Sequence, residues 1–461
     1  MATPTLLRRF AGGGWRTVSE THSDSVSMYK GPTGPLCHRC PLCPATGSQL
    51  LRCAGCRAFR YCSREHQVAH RPQHKSACNK IKKARARLAR EDHGIRDAIP
   101  DFMTPANAFE THVGHFWGLL STREYMRARF GLVRPLILLA TLDGVEEGLE
   151  HMRDMMILCR SDNMGFRTMA PAIMLRLDLD QECYDFIKWW ATCDPDGRYD
   201  WGDVTLPYLD IREADVLEDP GFLLGKHPEL NFLVALLLLK LKLLVDIRNL
   251  KITRKVLAQR LPFELQDQIE RDVVRSPLSA KLQRETPESL SKAELKLINH
   301  ARQLGAAILE TNGDFMFVLF EPDEALTDTP ESYSSGSWEE MVIAMQNSYA
   351  TWWETEGVLE LLKDARHCAS RESERDVEGL MENKRARKGR MPWELLEDLS
   401  VNRIWGYLDD AVENATYLGP WYDRPSERRT MANREARERA VEEEAGLEDF
   451  SDDGAWSDDE D

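Results

Sequence analysis

The stretch CHRCPLCPATGSQLLRCAGCRAFRYCSREHQVAHRPQHKSAC, residues 37–78, holds seven of the eleven cysteines in a chain of 461 residues. Its ligand-type residues fall into four pairs: Cys40-x2-Cys43, Cys53-x2-Cys56, Cys62-x3-His66 and His74-x3-Cys78. Zinc favours four thiolate or imidazole ligands in a tetrahedron, and close pairs of this kind each grip one ion. Eight ligands make two closed sites. Cys37 with Cys40 is a rival first pair, but Cys43 has the better spacing to Cys53. The surroundings are too polar to bury seven free thiols. Nothing upstream reads as a secretory signal, which argues against a disulfide framework.

This stretch resembles the MYND zinc finger, on the strength of Tyr61-Cys-Ser-Arg-Glu-His66-Gln67 and His74-Lys-Ser-Ala-Cys78. The resemblance implies a small cross-braced fold in which the first and third pairs share one zinc and the second and fourth the other. Carried over, zinc one is held by Cys40, Cys43, Cys62 and His66, and zinc two by Cys53, Cys56, His74 and Cys78. His66 stands where the family usually has Cys, so the first site becomes Cys3His. Arg71 stands where the family usually has Trp. Gln67 and Arg71 are the residues that the resemblance assigns to peptide docking. Its implied partners are short protein peptides, proline-containing motifs among them, often from transcriptional corepressors.

Charge is unevenly spread. The chain carries a formal −16, yet residues 1–90 hold 17 Lys and Arg against Glu20, Asp24 and Glu65. A basic docking surface at one end and an acidic body at the other follow. No apolar run is long enough for a membrane span; the longest, Phe232 to Leu239, is closed by Lys240 and Lys242. Residues 1–36, rich in Ser, Thr and Gly, read as a disordered tail. Thiolate ligands favour a reducing compartment, nucleus or cytoplasm.

The rest reads as mainly α. Residues 79–122 form a basic helix and linker, where Lys80, Lys82, Lys83, Arg85, Arg87 and Arg90 read first as a solvated face. Residues 123–380 form an α-helical repeat-like domain. Met126, Phe130, Val133 and Ile137 make one apolar stripe, and Val145, Leu149, Met152 and Met156 the next. Phe166, Ala170, Ile173 and Leu177 make the third, and Cys183, Ile187 and Trp190 the fourth. Breaks fall at Asp143-Gly144, at Ser161-Asp162-Asn163 and near Asp178 to Asp180. Pro135 and Pro171 are expected to kink their helices. The run Cys159 to Arg167 resembles the inter-helix turn of tetratricopeptide-like (TPR-like) domains found beside MYND fingers in fungal proteins. A long loop, 194–228, precedes a helix expected to break around Asn249. Phe315 to Phe320 is read as helix, and Ser337-Trp338-Glu339-Glu340 as a helix start.

Residues 381–440 read as C-terminal helices with a basic cluster, Lys384 to Arg390. Residues 441–461 form an acidic tail with eleven acids and no base. No Gly-x-Gly-x-x-Gly, P-loop or Gly-x-Ser-x-Gly is present. No catalytic residue is assigned, and a closed zinc site has no open position for water. The expected function is a non-enzymatic adaptor or scaffold that docks peptides through its finger, in transcriptional regulation. The alternatives are a SET-type lysine methyltransferase relative and a nucleic-acid binder through residues 71–90. The finger depends on its metal while the body has its own apolar core, so chelation is expected to unfold residues 37–78 alone.

Overall fold

The computed structural model describes residues 6–9, 15–18, 36–100, 105–225, 228–257, 261–320 and 322–366. The basic cluster 384–390, the C-terminal helices and the acidic tail lie outside the described residues. Within the stretch expected as an N-terminal tail, β1 (Leu6–Arg9) and β2 (Trp15–Val18) pair antiparallel.

The finger contributes β3 (Leu51–Arg52), β4 (Arg60–Tyr61) and α1 (Arg64–Ala69). It runs directly into α2 (Arg71–Arg96), with Pro72 in the first turn, where its missing N–H costs nothing. After α3 (Ala108–Thr111) come α4 (Arg123–Leu138), α5 (Leu142–Leu158), α6 (Phe166–Arg176) and α7 (Asp180–Thr192). These are the four helices expected from the stripes. Pro135 and Pro171 lie inside α4 and α6, which continue through them.

Asp143-Gly144 is not a break. Both residues sit in the first turn of α5, capped by Thr141, whose hydroxyl accepts from the Gly144 amide. Glycine is needed there for room: a Cβ at Gly144 would lie 2.7 Å from the Leu136 carbonyl oxygen.

The long loop then leads to α8 (Leu230–Leu257), a helix of 28 residues that passes Asn249 unbroken. The Asn249 amide donates to the Val273 carbonyl instead of competing with its own backbone. Next come α9 (Phe263–Asp272), α10 (Pro277–Leu282), α11 (Pro287–Thr311), α12 (Phe315–Val318), α13 (Asp323–Thr327) and α14 (Trp338–Glu354). Ser337 caps α14 as expected, accepting from the Glu340 amide.

Leucine on every side lets α8 be buried all round, packed by α6, α7, α11 and α14. From α8 onward the packing departs from a stack of repeats, in which each unit touches only its neighbours. Two of the charges brought inside are paired with opposite charges. Arg176 on α6 forks onto Glu354 at the end of α14, both oxygens at 2.7 Å. Lys242 on α8 reaches Asp178 and Asp180 at 2.6 and 2.9 Å.

The finger and the body share a core. Cys56, Cys78 and Ile81 pack in one apolar cluster with Leu132 and Leu136 of α4. The finger is therefore not packed apart from the body: α2 lies along α4 and ties the two together.

Candidate metal centre

Cys40 and Cys43 lie on the turn closed by the Cys40 amide donating to the Ala45 carbonyl at 2.9 Å, and three further elements deliver the other six ligands. The β3–β4 ribbon holds the Cys53–Cys56 loop between its strands. The Cys53 amide donates to the Phe59 carbonyl and the Arg57 amide to the Cys53 carbonyl, both at 2.8 Å. Cys62 follows β4, and Ser63 caps α1 by accepting from the His66 amide, so the ligand pair straddles a helix start. His74 and Cys78 are four residues apart on α2 and share its inner face.

The ligand atoms converge as two groups: Cys40, Cys43, Cys62 and His66, and Cys53, Cys56, His74 and Cys78. Within each group the ligand atoms lie within 4.8 Å of one another. In the first, His66 Nδ1 lies 3.0 Å from Cys62 Sγ and 3.6 Å from Cys40 Sγ, while Cys43 and Cys62 Sγ are 3.5 Å apart. In the second, His74 Nε2 lies 3.4 Å from Cys53 Sγ and 3.5 Å from Cys56 Sγ, and Cys53 and Cys78 Sγ are 4.0 Å apart. Ligands about 2.3 Å from a central zinc form a tetrahedron with edges of about 3.8 Å. These separations fit that figure and are far too long for disulfides. The two groups therefore fit two zinc sites.

Cys37 stands outside both groups and takes a hydrogen bond from Arg39 Nε at 3.1 Å. His70, the nearest rival to His66, instead shares a 2.9 Å hydrogen bond with the Tyr61 hydroxyl.

The two sites differ in surroundings. All four residues of the second are buried, whereas Cys62 is exposed and Cys43 and His66 are half-buried. Burial, with the charge of Arg71 adding to it, lowers the His74 pKa to about 4, so its ring is neutral and ready to bind metal. Burial pushes the Cys56 thiol up to about 12; a cation at the site reverses this and makes the thiolate. Burial acts on Cys40 too, but backbone N–H groups of Cys62 and Leu42 and the His66 and Cys43 side chains bring it down to about 7.

Five residues whose pairing sequence reasoning did not find lock the finger onto the body. Arg60 on β4 forks onto Asp143 at 2.6 and 2.8 Å, and Arg52 joins the same carboxylate at 2.6 Å. Arg85 on α2 pairs with Glu147 and donates to the Cys56 carbonyl at 2.8 Å. Burial alone would raise Glu147, but hydrogen bonds from His151 and Arg85 bring it down to about 2. An acidic i, i+4 pair at a helix start was the one visible signal, and it is common on solvated helices.

Gln67 and Arg71 lie at the junction of α1 and α2. Gln67 is half-buried and accepts from Arg64 at 2.6 Å; Arg71 is exposed. No residue of α1 is buried, and Val68 beside them is 59% exposed. This edge of the finger is open, while its other face lies on α4.

No curated protein and no solved structure matches the chain. Residues 37–78 match the family model of the MYND finger, the span within which both tetrahedra lie. The chain thus carries a MYND-type zinc finger with two zinc sites, a module that points to zinc-dependent protein–protein interaction.

Proposed function

We propose that the protein is an adaptor that presents the open α1–α2 edge of its finger to a short peptide, with the helical body as platform. The observation that carries this reading is the pairing of two complete ligand tetrahedra with an uncovered edge bearing Gln67, Val68 and Arg71. Arg71 in place of an aromatic favours peptides that bring a carboxylate beside their proline. The helix pairs α4–α5 and α6–α7 are the part of the body that fits a TPR-like platform of the fungal type. A regulatory role in transcription, a nuclear or cytoplasmic location and the lack of a catalytic activity of its own belong to the same reading.

Between residues 105 and 366 the described residues hold helices, turns and one isolated bridge, His115 with Cys159. This weighs against the SET-type alternative, which needs a β-rich domain. The test is fluorescence anisotropy with a panel of labelled proline-containing peptides, with and without acidic flanks. Binding to zinc-loaded protein is expected to fall on chelation and in Arg71→Glu. No binding by any peptide, or binding indifferent to chelation, overturns the proposal.

A further inference from the structure

We infer that the finger–body seam is a latch gated by the second zinc site: metal there keeps the finger clamped on α4 and α5, and its loss releases them. This rests on the zinc sites and not on the proposed peptide docking.

Three observations converge. First, the second site is part of the seam. Cys53, Cys56 and Cys78 belong to the apolar cluster that Ile81 of α2 completes against Leu132 and Leu136. Second, Arg85 joins a ligand's own backbone to the body. One guanidinium donates to the Cys56 carbonyl at 2.8 Å and to Glu147 Oε2 at 2.6 Å. Moving the Cys53–Cys56 loop therefore moves the group that holds Glu147. Third, Arg60 donates to the Ser48 carbonyl at 2.8 Å while forking onto Asp143, so the loop before β3 and the body acid share one cation.

The ribbon between Cys53 and Cys56 is flanked by strands of two residues each, too short to stand without a core or a metal. The first site reaches the seam less directly: Arg85 takes the carbonyl of Cys56 and not of a first-site ligand, although His38 near Cys40 comes within 3.7 Å of Asp143. Its Cys43, Cys62 and His66 lie on the outer edge, and only Cys40 reaches the shared cluster as a buried residue.

Emptying the second site should free the Cys53–Cys56 loop from His74 and Cys78. The Arg85 bridge then loses its carbonyl anchor, and Ile81, Leu132 and Leu136 become accessible as an apolar strip beside Asp143 and Glu147. The core around α8 shares none of these residues and stays closed.

The experiment is hydrogen exchange by mass spectrometry on the full chain, with zinc counted by native mass spectrometry. Cys56→Ser should retain one zinc and raise exchange across α4 and α5 by about tenfold or more, with α8 and α11 unchanged. Cys43→Ser should also retain one zinc but leave α4 and α5 as in the wild type. A double variant, Asp143→Asn with Glu147→Gln, opens the same seam from the body side and should keep both zincs. The inference is overturned by unchanged α4–α5 exchange in Cys56→Ser or in the double variant. It is equally overturned by an equal rise in Cys43→Ser, by loss of both zincs from either cysteine variant, or by exchange rising together through α8 and α11.

Discussion

The two zinc sites use the same chemistry in different settings. The first sits at the finger's rim, with Cys62 exposed; the second is enclosed by the ribbon, α2 and, through Ile81, by α4. A closed ligand set is thus a local staple in one place and a tie between finger and body in the other. Setting decides how far the loss of a ligand is felt, because three ligands of the second site, against one of the first, are buried in the cluster shared with α4.

The largest effect expected is on metal affinity. His66→Ala and His74→Ala each remove one of four ligands and should weaken zinc by more than the ~100-fold that loss of an outer partner costs. Competition with a chromophoric chelator measures this. His70→Ala should bind as the wild type does, since His70 serves Tyr61; a loss there with none at His66 would mean the first site is drawn wrongly.

Acid should separate finger from body. Zinc ligands must be deprotonated, so the finger weakens as pH falls. In the body, burial raises Asp162 from 3.8 to about 6, against the pull of the Arg167 and Phe166 amides that it caps. The folded chain then holds a proton that the unfolded chain has released. Stability from this group is present below pH 3.8 and lost as pH rises to about 6, an effect of about 3 kcal/mol. Urea melts of Asp162→Asn across that window should lack this component; an unchanged slope relative to the wild type would refute the assignment.

Two glycines sharpen the comparison at smaller scale. Gly144 lies at the seam, where an added Cβ meets the Leu136 carbonyl, and Gly144→Ala should cost about 1–3 kcal/mol. Gly131 on α4 has nothing within 4 Å of its would-be Cβ. Gly131→Ala should instead stabilise by about 0.5–1 kcal/mol. Thermal melts that move in the same direction for both would show that the seam is looser than drawn.

The zinc ligands were legible because metal spacing is a local property of the chain. So were α4 to α7, whose stripes repeat every three or four residues. Asp143-Gly144 misled because an acid and a glycine together are a turn signal. Here the acid is held by arginines 83 and 91 residues earlier in the chain, and the glycine by a carbonyl of the preceding helix. Asn249 misled likewise, its partner Val273 being 24 residues on. A seam made of such pairs has no period and no fixed spacing, so no window of sequence displays it.

The ion pair between Arg176 and Glu354 spans 178 residues of chain and closes over the all-round buried α8. At about 5–20 residues per second of synthesis, Arg176 waits roughly 9–36 s for its partner to be made. The finger with α2, α4 and α5 is complete well before then, because its ties to Asp143 reach back only as far as His38. On the ribosome the N-terminal third can take up zinc and settle while α8 emerges with its leucines uncovered, and that interval is when the chain most needs a chaperone.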